Sequence, residues 1–323
     1  MPLNDTLRAL VLAAASWPTA IAAAQPAPPS QALGTTTLTD GGAEPRRVMA
    51  YRPSAGWAGD YELVTRITPR VLLDGAEQPT PPASLIITPI RFQVEQVTER
   101  SHVVIGTMGK PRVAPAQGTN PQQAAAVEQA VAAAEGGRIV LELSSRGELL
   151  QSSVLNADNL PKGGRELLNH AVSLMSTALV PLPDEAVGRG ARVRIDQPVK
   201  AEQLDLALTQ LLEFPAALPS GLQMKARLST VMAPIQDSGP DRPQKASIEG
   251  TVTLDMLTNR PLPVQLIAAV TRSVTREITD QGATRSLQTI MTTELNLREV
   301  VQPSAVVRNP GEPAPAVPGA PSR

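Results

Sequence analysis

His102 and His170 are the only two histidines in a chain of 323 residues that has no cysteine. A zinc site takes three or four protein ligands, and neither histidine has an HxH or HxxxH partner. A metal centre would have to rest on carboxylates, and the nearest pairs are Asp184-Glu185 and Asp237-x-x-x-Asp241. Both stand in turn-like surroundings, where acids cap and solvate, and neither has the ligand density of a calcium loop. His102 lies in the apolar run His102-Val103-Val104-Ile105 and reads as a strand position. His170 sits at the rim of a helical stripe, one turn before Leu174. Serine catalysis needs an activating base and an oxyanion hole. Neither a Gly-x-Ser-x-Gly elbow nor Ser-x-x-Lys occurs, and Ser144-Ser145-Arg146-Gly147 reads as a hairpin turn. Neither GxxxxGK[ST] nor GxGxxG is present, so no phosphate loop is encoded. Aromatic residues are 2% of the chain, too few for a sugar- or base-stacking cleft. No catalytic, cofactor-binding or metal-binding residue is therefore assigned, no cofactor is expected, and the chain reads as a non-enzyme.

Charge narrows the partners. Lys and Arg total 29 against 30 Asp and Glu, a formal charge of −1 that excludes the electrostatic footprint of a nucleic-acid binder. Arginine outnumbers lysine 24 to 5, which with the abundant Ala and Pro fits a GC-rich genome better than a set of phosphate clamps. Arg272 and Arg276 stand on the strand face that also carries Val270, Val274 and Ile278. They either snorkel at the end of a sheet or meet an anionic head group at the mouth of a cavity.

The elements that must position these residues begin after a targeting segment. Arg8 precedes an Ala/Leu/Val run from Ala9 to Ala24, broken by Ser16, Pro18 and Thr19 and closing on Ala22-Ala23-Ala24. That pattern predicts a cleaved signal peptide over residues 1–24, with a retained anchor as the alternative. Lacking cysteine, the product is not a lipoprotein, and it is expected in the periplasm or secreted. Residues 25–45 are expected to be a disordered leader and residues 302–323 a disordered Pro-rich tail. The 32 prolines concentrate in such places. One β-rich domain is expected over 46–301, with an Ala/Gln/Pro-rich loop insertion at 111–137 that carries a marginal helix.

Within the domain the dominant period is two. Leu204, Leu206, Leu208 and Leu212 alternate with polar residues, as do Met224 and Leu228, then Val252 and Leu254, then Leu266 and Val270, then Leu295 and Leu297. Tyr61 to Ile67, Leu85 to Val97, His102 to Met108 and the hairpin around Ser145-Arg146-Gly147 add the N-terminal half. Successive amphipathic strands with one wet face predict an antiparallel sheet. One segment instead repeats at helical spacing: Leu167, Leu168, Ala171, Leu174, Met175 and Ala178, flanked by Gly163-Gly164 and stopped by Pro181. The fold class is mainly β (α+β): a large curved antiparallel sheet or half-barrel of about ten strands, with one main helix, over 163–180, on its concave face.

After that helix comes Pro181-Leu182-Pro183-Asp184-Glu185-Ala186-Val187-Gly188-Arg189-Gly190, followed by a strand. This stretch resembles a group of uncharacterised exported bacterial β-rich proteins that share a helix, a PLP-x-x-x-VG-x-G turn and long antiparallel strands. Arg192 replaces the tryptophan typical of the group's following strand. The resemblance spans about residues 138–300 and implies no activity.

Two functions fit this reading. In the first, sheet and helix enclose a slot for a lipid or other apolar molecule, lined by Leu206, Leu208, Leu228, Val252, Leu266, Val270, Leu167, Leu174 and Met175, with Arg272 and Arg276 at its mouth. Leu and Met linings adapt to floppy ligands. In the second, the same face is a filled core and the protein is a structural or interaction module of the cell envelope, with an envelope protein as partner. A monomer is expected, with neither nucleic acid nor metal bound. A ligand site of several hundred Å³ would mark the first reading and water-sized voids the second.

Overall fold

A computed structural model describes residues 35–80, 82–116, 121–155, 157–179, 181–201, 204–218, 221–232, 243–280 and 283–300. The long strands follow the period-two runs: β3 (Ala58–Leu73), β5 (Leu85–Val97), β6 (Ser101–Met108), β8 (Arg138–Ser144) and β9 (Leu149–Leu155) in the N-terminal half. The C-terminal half holds β11 (Arg192–Ala201), β12 (Leu204–Leu218), β13 (Gly221–Met232), β14 (Pro243–Leu257), β15 (Gln265–Asp280) and β16 (Ala283–Glu299). Shorter strands are β1 (Thr35–Asp40), β2 (Ala43–Arg47), β4 (Ala76–Gln78), β7 (Arg112–Ala114) and β10 (Val187–Arg189). Fourteen strands make one antiparallel sheet in the order β1-β11-β12-β13-β14-β15-β16-β3-β5-β6-β8-β9, with β4 and β7 beside β3 and β5, and β2 pairs β10 in a separate ribbon.

The two halves of the chain join through β16 and β3, which pair continuously from Leu287↔Leu73 to Glu299↔Tyr61. Register carries the pattern across the strands. Leu254, Leu266, Leu297 and Leu63 stand opposite one another in turn, giving a row of buried leucines over four strands. Burying each contributes about 1.5–3 kcal/mol. The opposite face is wet and carries ion pairs such as Arg91–Asp60 at 2.9 Å and Arg298–Glu62 at 2.7 Å.

Four expectations are corrected. The sheet has fourteen strands where about ten were expected, because three- to six-residue strands such as β1, β4 and β7 are too short to show a period. It is open, with β1 and β9 as edges, and neither closes nor curls into a half-barrel. Among the described residues there are two helices instead of one main helix: α1 (Pro121–Ala132) and α2 (Lys162–Ala178). Finally, the stretch 25–45 is not wholly a leader. β1 pairs β11 from Thr35↔Asp196 to Asp40↔Arg192, and most of β2 lies in the same stretch. Residues 1–34 and 301–323, with the signal segment and the tail, lie outside the described residues.

Glycine shapes two contacts. A Cβ on Gly164 would stand 2.2 Å from the Ala133 carbonyl oxygen, so the start of α2 lies directly on the chain leaving α1. This seats a helix expected to be marginal, and Val131 and Ala134 at its end are buried. In the PLP-x-x-x-VG-x-G stretch, a Cβ on Gly188 would fall 1.8 Å from the Ala43 carbonyl oxygen, and Gly190 turns at φ +83°. The motif is thus the geometry of the β2–β10 ribbon, where Gly188 N–H donates to the Gly41 carbonyl at 3.0 Å.

Candidate functional site

Helix α2 lies on the leucine row. Leu168, Ala171 and Met175 are buried in one cluster with Leu63, Leu266 and Leu297, and Leu167 packs against it. Among the described residues, two voids lie between helix and sheet. One touches Leu63, Met175, Leu262, Leu266 and Leu295, and the other touches Leu63, Thr65, Thr88, Met108, Leu167 and Ala171. Each is about 10 Å³, the room of a single water.

The residues expected to line a slot fall in three groups. Leu208, Val252, Leu266 and Met175 are buried core, and Leu167 and Val270 are half-buried against it. Arg272 is exposed and Arg276 half-buried on the same face of β15. The side chains of Leu206, Leu228 and Leu174 lie outside the described residues. The structure therefore brings Leu266 and Met175 together at one void and Leu167 to the other, while Arg272 and Arg276 stand further along the strand. Past the leucine row, Ile67, Thr293 and Val270 follow one another in register and are half-buried, and the next row runs Pro69, Met291, Arg272 and Ile248, of which Pro69 and Ile248 are buried. A second buried cluster of Val71, Leu73 and Leu287 lies beyond them.

One end of the face is closed by four connecting segments. Tyr51 N–H donates to the Ser145 carbonyl at 2.8 Å and Arg52 N–H to the Thr258 carbonyl at 2.6 Å. Leu182 N–H donates to the Arg146 carbonyl at 2.8 Å. The Arg146 guanidinium, in the β8–β9 turn, donates to the carbonyls of Met49 and Pro183 and pairs with the Asp184 carboxylate at 2.7 Å. Asp184, one of the carboxylates considered as a metal ligand, is thus the partner of a turn arginine. Ser145-Arg146-Gly147 is the turn that its residues predict, and no local pattern announces the role of its arginine, because the proline carbonyl it grips lies 37 residues away.

His102 belongs to this closure. Its ring is 2% exposed, 6.4 Å from the Tyr51 ring, and hydrogen-bonded to the Pro261 carbonyl. Burial holds its pKa below the usual histidine value, with the Pro261 bond opposing, and Nε2 has no partner among the described residues. The imidazole is a neutral packing group.

Beside it is an aromatic corner. Tyr61 meets Phe92 edge-on at 5.2 Å and Trp57 at 6.4 Å, and Arg260 stacks 5.5 Å over Trp57 while bonding Glu299 at 3.2 Å. Burial, then the nearby Glu299 charge, raises the Tyr61 hydroxyl well above its usual range, so it is no base near neutral pH. Among the described residues no group of three or more His, Asp or Glu is placed to hold a metal. No described helix is long and apolar enough to cross a membrane.

No protein-family profile matches the chain, and no curated protein sequence matches it.

Proposed function

We propose that this is an exported, non-enzymatic structural or interaction module of the cell envelope, built on a filled sheet–helix core. The single observation that carries the reading is the size of the voids under α2: about 10 Å³ each, against the several hundred Å³ of a ligand site. Two buried rows in register across β14, β15, β16 and β3, Leu254–Leu266–Leu297–Leu63 and Val252–Ala268–Leu295–Thr65, support this reading. The paired charges of the outer face keep that face in water.

A second reading is favoured by the half-buried strip of Ile67, Val270 and Met291 with Arg272 beside it. An amphiphile would lay its chain along that strip. Vesicles of phosphatidylglycerol and phosphatidylethanolamine carrying a pyrene-labelled lipid separate the two. The module reading predicts that all label stays with the vesicles after incubation with the purified chain. Transfer of about one labelled lipid per chain would overturn it and select the strip.

A further inference from the structure

Residues 48–57 run between β2 and β3 with no strand or helix of their own, and cross the closed end of the face. Their middle is held at few points. Tyr51 N–H and Arg52 N–H donate to carbonyls of two different turns, Ser145 between β8 and β9 and Thr258 between β14 and β15. The Met49 carbonyl accepts from Arg146 at 3.3 Å. Toward β3 the segment is tied separately: Gly56 N–H donates to the Val94 carbonyl at 2.9 Å, and Gly56 turns at φ +76°. Between these ties the Tyr51 ring is a wedge. It is buried, a Cβ on Gly147 would stand 2.6 Å from it, and the His102 ring lies beside it.

The Pro261 carbonyl accepts from the imidazole, and Nε2 is buried with no partner among the described residues, so the neutral ring carries its proton on Nδ1. A second proton has only Nε2 to go to, and a buried cationic N–H without an acceptor is strongly disfavoured. No neighbouring charge relieves it. Glu142 on β8 accepts from the Ser101 hydroxyl, Arg146 is paired with Asp184, and Arg260 with Glu299. Arg52, Glu95, Glu99 and Arg100 are exposed, and Glu148 is half-buried in the β8–β9 turn. Burial, opposed by the Pro261 bond, sets the pKa of the imidazole, and none of these groups does. Tyr51 stays neutral, because burial raises its hydroxyl well above the usual range.

We propose that residues 48–57 are an acid-released latch: protonation of His102 at Nε2 turns the ring toward water, displaces the Tyr51 wedge and frees the segment from both turns while the sheet stays folded. Release breaks two backbone hydrogen bonds and unpacks one ring, and it leaves the strand pairings of the sheet untouched. Such a latch goes beyond the module reading and does not depend on it. With the latch open, His102 has an ordinary pKa of about 6.5, and with it closed a lower one. Between those values each pH unit of acidification raises the open fraction up to about tenfold, and above about 6.5 nothing changes.

Hydrogen–deuterium exchange of the purified full chain at pH 7.5 and 5, corrected for the intrinsic rate at each pH, reads the Tyr51 and Arg52 amides directly. Their protection should fall by up to about 30-fold at pH 5, with the amides of β15 and β16 unchanged. His102→Phe and His102→Gln have no proton to gain and should keep protection equal at the two pH values. His102 and His170 are the only imidazoles of the chain, so proton NMR follows the wild-type ring itself, which should titrate below about 6.5. Unchanged wild-type protection overturns the proposal, as does a fall that persists in either folded variant. Equal loss of protection in β15 and β16 overturns it too, since the response is then global unfolding, and so does a His102 ring that titrates at or above its ordinary value.

Discussion

Alanine at Gly164 sets helix propensity against packing. In a helix, Gly→Ala ordinarily adds up to about 1 kcal/mol of stability. Gly163 and Gly164 are adjacent in the first turn of α2, so propensity alone treats them alike. Their surroundings do not. A Cβ at Gly163 would meet the Ala130 carbonyl oxygen at 3.1 Å, a few tenths of an ångström inside ordinary contact. At Gly164 it would stand 2.2 Å from the Ala133 oxygen and 2.5 Å from its carbonyl carbon, both backbone atoms that cannot rotate away. Relief requires the chain after α1 to move by more than 1 Å relative to ordinary contact at 3.4 Å, an overpacking that costs about 1–3 kcal/mol. Gly164→Ala should therefore destabilise by about 1–2 kcal/mol net, while Gly163→Ala should be neutral or stabilising by up to about 1 kcal/mol. Urea unfolding followed by circular dichroism reads both as midpoint shifts at constant slope. Equal stabilisation of the two variants would refute the reasoning, because it would mean that α1 does not rest on α2.

Other substitutions test the remaining contacts. Leu168→Ala, at a fully buried position between helix and sheet, should cost about 2–5 kcal/mol in the same unfolding assay. Arg146→Ala should cost about 2–3 kcal/mol by orphaning the Met49 and Pro183 carbonyls, and Arg146→Lys should recover less than half, since an ammonium lacks the fork that reaches both. Burial lowers the His102 pKa, so the unfolded chain takes up its proton first as pH falls through about 6.5. Stability should then decline below that pH by at most about 1.4 kcal/mol per pH unit, until the folded pKa is reached. Melting curves from pH 7.5 to 5 should show this for the wild type, and a shallower slope for His102→Phe.

Much of the fold was legible because long strands repeat their pattern. β12 to β16 keep polar and apolar residues apart over a dozen or more positions, and a wet outer face made the alternation visible. The same holds for α2, whose stripe of Leu168, Ala171 and Met175 became the buried one. Legibility failed where the signal was short or non-local. β1 has six residues, with threonines on both faces, and reads as leader until β11 is placed beside it. α1 presents alanines with no partner visible in sequence, and the absent side chains of Gly163 and Gly164 make the fit. The site was least legible of all, because alternation marks the face that is covered without saying by what. Leu266 and Met175 would show the same spacing around a ligand or around each other. Their meeting at a water-sized void follows from where the helix lies. Arg146 shows the same limit: it looks unattached in sequence, yet carbonyls from distant turns grip it.

A filled core under α2 is tested most directly by native mass spectrometry of the chain, purified gently from the cells that make it. The measured mass should be that of the polypeptide alone, and should not change after solvent extraction. A reproducible added mass of lipid size that extraction removes would contradict the filled core.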